Sequence, residues 1–188
     1  MRRRRIVVIL TIVTSLRVVD GGLRAQDGVS NQQQLQQKID SLKIGVSDLH
    51  LIEQLFGEPA SLREGVDWHD AITGKSRAMH DADYPTIGLS FSLFTNPSQL
   101  YSITIETKEV VWRSIRIGDN LLQVRKTLGE QGEWGTTEKQ EWWWLEFKTY
   151  GVRVRFERDK AQEKYPIKLA KPETVTKIEL YDQRVAFR

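Results

Sequence analysis

The chain has 188 residues, no cysteine and a formal charge of +3. Without cysteine it forms no disulfide, holds no metal through thiolate and carries no acylated cysteine, which excludes a lipoprotein. Hydrophobic residues at 39% suffice for a packed core and exclude a disordered chain, while the length allows one domain or two very small ones.

The charge is unevenly spread. Residues 1–25 hold six arginines against Asp20, a balance of +5. Residues 26–112 hold 6 basic and 12 acidic groups, and residues 113–188 hold 16 basic and 12 acidic. The high isoelectric point therefore comes largely from the first segment and is no sign of nucleic-acid binding. The basic second half suits an acidic partner or is simply a solvated surface.

In chain order, the cluster Arg2, Arg3, Arg4, Arg5 precedes an apolar run over residues 6–16, then Arg17 and a polar stretch with Leu23 and Ala25. This is the three-part export pattern, and it predicts a signal peptide over residues 1–25 with cleavage before Gln26. The apolar run is shorter than the roughly 20 residues a membrane-spanning helix needs. Extending it through Val18 and Val19 buries Arg17, so a retained anchor is the alternative. A periplasmic or extracellular location follows. Residues 26–41 read as a polar, glutamine-rich linker. Its end, over residues 31–43, has helical spacing at Leu35, Ile39 and Leu42.

Two later segments match each other. IGVSDLHLIEQLFGE over residues 44–58 aligns with IGDNLLQVRKTLGE over residues 117–130, once Val46 is taken as an extra residue. Each has the parts of a short helix: an N-cap at Ser47 or Asp119, an apolar face (Leu49, Ile52, Phe56; Leu121, Val124, Leu128), and a stop at Gly57 or Gly129. Alternating apolar residues then predict strands over residues 87–93 and 101–105, and again over 142–147, 150–156 and 176–180. The expected fold is α+β, as two tandem helix-plus-antiparallel-meander repeats over residues 42–112 and 113–188. The helices would pack on one face of the sheet.

This tandem pattern resembles the secreted β-lactamase inhibitory protein, where a similar unit occurs twice, and the small lipoprotein of the outer-membrane barrel-assembly machinery, where it occurs once. The resemblance spans about residues 42–182. It implies the architecture and a protein-binding sheet, and it transfers no functional residue. The chain lacks the cysteines of both groups.

Strand alternation sends Trp143, Leu145 and Phe147 to one face and Trp142, Trp144 and Glu146 to the other. Applied to the next strands, the same rule gathers Trp142, Trp144, Arg153, Arg155 and Tyr181 on the outward face of the second unit. Trp, Tyr and Arg are the types that dominate interface hot spots, so these five are the candidate binding residues. The plainer readings are arginines stacked on tryptophans within the sheet, or helices of the first unit covering this face. Protein is the first expected partner, and carbohydrate stacked on flat indoles is the second. A different class, a metal-dependent hydrolase, would use a loop cluster of His69, Asp70, His80, Asp81 and Asp83, although its spacing follows no known ligand motif. No nucleophile motif or nucleotide fingerprint is present. The sequence thus points to an exported, non-catalytic protein-binding or envelope-associated module, with no cofactor, no metal and no nucleic-acid partner expected.

Overall fold

Apolar side chains fall into register across an entire sheet. In the computed structural model, which describes residues 23–69, 76–136, 143–156, 174–182 and 184, eight strands pair side by side, all antiparallel. They are β1 (Ser61–His69), β2 (Ser76–Tyr84), β3 (Leu89–Thr95), β4 (Ser98–Ile105), β5 (Glu133–Thr136), β6 (Trp143–Phe147), β7 (Val152–Phe156) and β8 (Val175–Tyr181). Their order is β1-β2-β3-β4-β8-β7-β6-β5. One inward row runs Ala82, Phe91, Ile103, Leu180, Val152, Phe147. A second runs Leu89, Ile105, Ile178, Val154, Leu145, Trp134. Because side chains alternate faces along a strand, this register puts a polar row on the opposite side between them.

Three helices cover the apolar side: α1 (Leu23–Ser41), α2 (Leu49–Phe56) and α3 (Leu121–Leu128). Their buried residues Leu35, Ile39, Ile52, Val124 and Leu128 belong to the same core cluster as both inward rows. The expected architecture of two tandem helix-plus-meander repeats is corrected by this arrangement. The described residues form one eight-stranded sheet, and a single main core cluster runs through both of its halves. β4 and β8 pair at its centre, from Ser102 opposite Tyr181 to Ile105 opposite Ile178. Three strands were not foreseen, and one of them, β2, takes up residues expected in a loop. β1 mixes Arg63, Glu64 and Asp67 with apolar residues and pairs on one side only, and β5 has four residues.

The linker expected over residues 26–41 lies within the 19-residue helix α1. Its glutamines dock it. Gln32 donates to the Glu109 carbonyl (3.0 Å), and Gln36 accepts from the Val111 amide (2.9 Å). A cut before Gln26 would fall in the first turn of this helix.

The helix caps sit one residue later than the sequence suggests. Asp48 accepts from the Leu51 amide and Asn120 from the Gln123 amide, each at 2.9 Å. Ser47 instead accepts from the Lys43 amide, and Asp119 from the Arg116 amide. Gly57 and Gly129 end the helices as expected, with φ of 84° and 89° and amides donating to the Glu53 and Arg125 carbonyls. The segment before each helix is clamped to a central strand. Gly45 donates to Leu100, and Leu100 donates to Ser47. Gly118 donates to Val175, and Val175 donates to Asp119. β4 and β8 thus anchor the helices as well as each other.

A chain ending at Glu106 would expose the whole β8-facing edge of β4 and the far half of both inward rows. It is expected to lack a cooperative thermal transition by circular dichroism. A sharp melt of that fragment would show that residues 23–106 carry a core of their own.

Candidate functional site

Outward positions on β6, β7 and β8 form a connected set. Across the strands, Glu146 faces Arg153 and Arg153 faces Glu179, while Trp144 faces Arg155 and Arg155 faces Lys177. The Arg153 guanidinium bridges Glu146 (3.0 Å) and Glu179 (3.2 Å). The Tyr181 hydroxyl donates to the same Glu146 oxygen at 2.6 Å. The guanidinium carbon of Arg153 also lies 5.4 Å from the Trp144 ring centre and 5.6 Å from that of Tyr181, within cation–π range. Trp144 lies across the neighbouring strand, where a Cβ added at Gly135 would meet its indole nitrogen at 2.2 Å. Only glycine leaves room for the ring there.

Electrostatics follow from this packing. Burial works against the charge on Arg153, but Glu179 and Glu146 outweigh it and hold the group above its ordinary value. Burial lowers Arg155, with Glu106 opposing. Burial, then the hydrogen bond to Glu146 and that group's charge, push the Tyr181 phenol well above its ordinary value of 10.

Of the five candidate binding residues, Trp144, Arg153, Arg155 and Tyr181 take outward strand positions, and Trp142 lies outside the described residues. Tyr181 is only 6% exposed and its hydroxyl is committed, so it supports the face more than it presents itself. Glu146 and Glu179 were not among the candidates, yet they organise the set. The signal was present, since both share the outward parity of their strands.

The loop cluster imagined for a metal-dependent hydrolase is corrected. His80, Asp81 and Asp83 lie within β2 rather than in a loop. His80 has the parity of buried Ala82, whereas Asp81 and Asp83 have the opposite one. Both carboxylates are engaged: Arg63 lies 3.6 Å from Asp81 and 3.2 Å from Asp83, Ser92 donates to Asp81, and Ser61 donates to Asp83. His69 ends β1, and Asp70 lies outside the described residues. Among the described residues no three His, Asp or Glu side chains gather at metal-binding distance.

The helix-bearing side holds a cleft of about 650 Å³. Ile103 and Leu180, paired at the β4–β8 junction, line it, with Ile39 and Leu42 on one side and Trp112 and Tyr150 on another. Its charged lining residues are Asp40, Lys148, Asp182 and Arg184. Lys148 pairs with Glu133 at 2.7 Å and Arg184 with Asp182 at 2.8 Å. In the sequence, Ile39 and Leu42 stood out only for their helical spacing and Ile103 and Leu180 only as strand positions, and none of the four charged lining residues stood out.

No family model matches the chain, and no curated protein matches it by sequence. Among solved structures, it is similar to a DUF4309 family protein (YjgB) from Bacillus subtilis, with 13% identity, a TM-score of 0.48, and coverage of 84% of this chain and 95% of that one. It is also similar to an extracellular protein containing a SCP domain from Bacillus anthracis, with 12% identity, a TM-score of 0.38, and coverage of 94% and 52%. At these scores neither likeness carries an argument about fold or function. No helix among the described residues is long and apolar enough to cross a membrane.

A phenol raised on folding favours the folded state while it keeps its proton. That contribution is complete below pH 10 and is lost as pH climbs above 10 toward the folded value. The wild type is therefore expected to lose stability more steeply than Tyr181→Phe above pH 10 and to run parallel to it below. Urea unfolding at a series of pH values measures this, and parallel curves throughout would remove Tyr181 from the network.

Proposed function

We propose that the protein is an exported, non-catalytic binding module that docks another extracytoplasmic protein on the outward face of β6, β7 and β8. One observation carries this reading. The three helices pack on the apolar side of the sheet, and the opposite side holds Trp144 and Arg153 in fixed positions, both still partly exposed. Aromatic and arginine side chains held before binding lose little entropy when a partner arrives, which is how a few residues come to dominate an interface.

Two further features support it. The excess of basic groups over residues 113–188 favours an acidic partner and speeds its approach. The resemblance of the two helix-start segments to the β-lactamase inhibitory protein group implies a sheet that grips an enzyme, which is the same class of action. Export would come from the charged and apolar pattern of residues 1–25, with cleavage before Gln26.

Trp144→Ala combined with Arg155→Ala tests the proposal. The half-buried indole and its cation–π contact together contribute about 2–3 kcal/mol, so the double variant should melt about 5–10 °C lower and still unfold in one transition. An envelope protein captured by the tagged wild type should be lost from the variant. Unchanged capture would contradict the proposal. A collapse of the melting transition would assign the two residues to the framework of the sheet.

A further inference from the structure

Of the four charged residues lining the cleft on the helix side, three are settled within the fold. Lys148 pairs with Glu133 at 2.7 Å, and Arg184 pairs with Asp182 at 2.8 Å. The fourth is Asp40. Among the described residues no cation pairs with it, and the Gln36 side chain donates to it at 2.9 Å.

The place of Asp40 on its helix makes this unusual. It lies in the last turn of α1, where the unsatisfied carbonyl ends carry a partial negative charge. A carboxylate is disfavoured there and a cation is favoured. Lys38, the basic residue of that turn, does not compensate. Residues two apart on a helix do not face each other, and the Lys38 ammonium lies 5.7 Å from the Phe56 ring centre. Two sources of negative potential, the carboxylate and the helix end, therefore meet at one edge of the cleft. Inward of this exposed carboxylate the lining is apolar and buried, with Ile39, Leu42, Ile103 and Leu180.

We propose that this cleft binds a protonated amine carrying an apolar body. The ammonium pairs with the Asp40 carboxylate beside the end of α1. The body lies on Leu42, Ile103 and Leu180 between the walls made by Trp112 and Tyr150. A volume of about 650 Å³ lies in the usual range for small-molecule sites, as does an apolar floor with few polar groups. Arg113 does not reverse the choice of charge. It is exposed, it is not part of the cleft lining, and its guanidinium carbon lies against the rings, 5.5 Å from the Trp112 centre and 5.1 Å from that of Tyr150. Those rings already hold a cation, so they serve the ligand as apolar walls and its charge is read at Asp40. This proposal is independent of the outward face.

Isothermal titration of the full chain at neutral pH with decylammonium, decanol and decanoate tests it. Decylammonium should bind saturably at one site and more tightly than the other two. Asp40→Asn should weaken it by about tenfold, to near the affinity for decanol, and Thr149→Trp should abolish binding by filling the cleft from its exposed lining. Because the carboxylate sits at the unfavourable end of the helix, Asp40→Asn should melt at or above the wild-type temperature, which separates lost binding from lost folding. Tighter binding of decanoate than of decylammonium would overturn the assignment of charge. No saturable decylammonium binding by the wild type, or equal affinity in Asp40→Asn, would overturn the proposal itself, and the wild-type comparison decides even if a variant fails to fold.

Discussion

The pairing of β4 with β8 is the constraint on which the rest of this protein depends. Four residue pairs join strands that lie about seventy-five positions apart in the chain. Through them the two inward rows pass from one half of the sheet to the other without interruption. Neither strand is then an edge, so both avoid the unpaired N–H and C=O groups that an exposed strand presents. The same two strands receive the clamps from Gly45, Ser47, Gly118 and Asp119, which set where α2 and α3 begin. A neighbouring close approach tightens the junction. Tyr181 donates to the Gly151 carbonyl, and a Cβ at Gly151 would lie 2.1 Å from the Tyr181 oxygen. With φ at 59° as well, that position has no room for a side chain.

Both candidate surfaces derive from this junction. On the apolar side, Ile103 and Leu180 form part of the cleft lining between α1 and the turns that carry Trp112 and Tyr150. On the polar side, β8 contributes Glu179 and Tyr181 to the set that holds Arg153 and, through it, Trp144. The side chain of Glu146 is 13% exposed and that of Arg153 is 37% exposed. The network is therefore only partly desolvated. Glu146 accepts from both Arg153 and Tyr181, Arg153 donates to both Glu146 and Glu179, and removing one member leaves a like-charged or unpaired group behind. Such an arrangement fixes geometry more than it adds stability.

Much of this was readable residue by residue, and little of it pair by pair. Period-two alternation located β3, β4, β6, β7 and β8 and assigned their faces. Helical spacing and the glycine stops located α2 and α3, with the caps displaced by one because Ser47 and Asp48, like Asp119 and Asn120, are adjacent capping types. Alternation cannot say which strand lies beside which, so two repeats packed side by side or joined edge to edge over a shared core were expected where one continuous sheet formed. The glutamines of α1 read as a tether because their value lies in docking to residues 109–111, far along the chain. Among the outward residues the arginines and aromatics were legible, but not the role of Glu146 and Glu179, since ion pairing across three strands depends on register. The cleft was invisible for the same reason: Leu42, Ile103, Trp112, Tyr150 and Leu180 meet only once the central strands have paired.

Native-state hydrogen exchange, read residue by residue across a denaturant series, tests the central pairing most directly. If β4 and β8 join the two halves into one cooperative unit, the slowest amides of β3, β4, β7 and β8 should converge on a single opening free energy with a common dependence on denaturant. Strands β2, β3 and β4 keeping their protection after β6, β7 and β8 have opened, or the reverse, would contradict it.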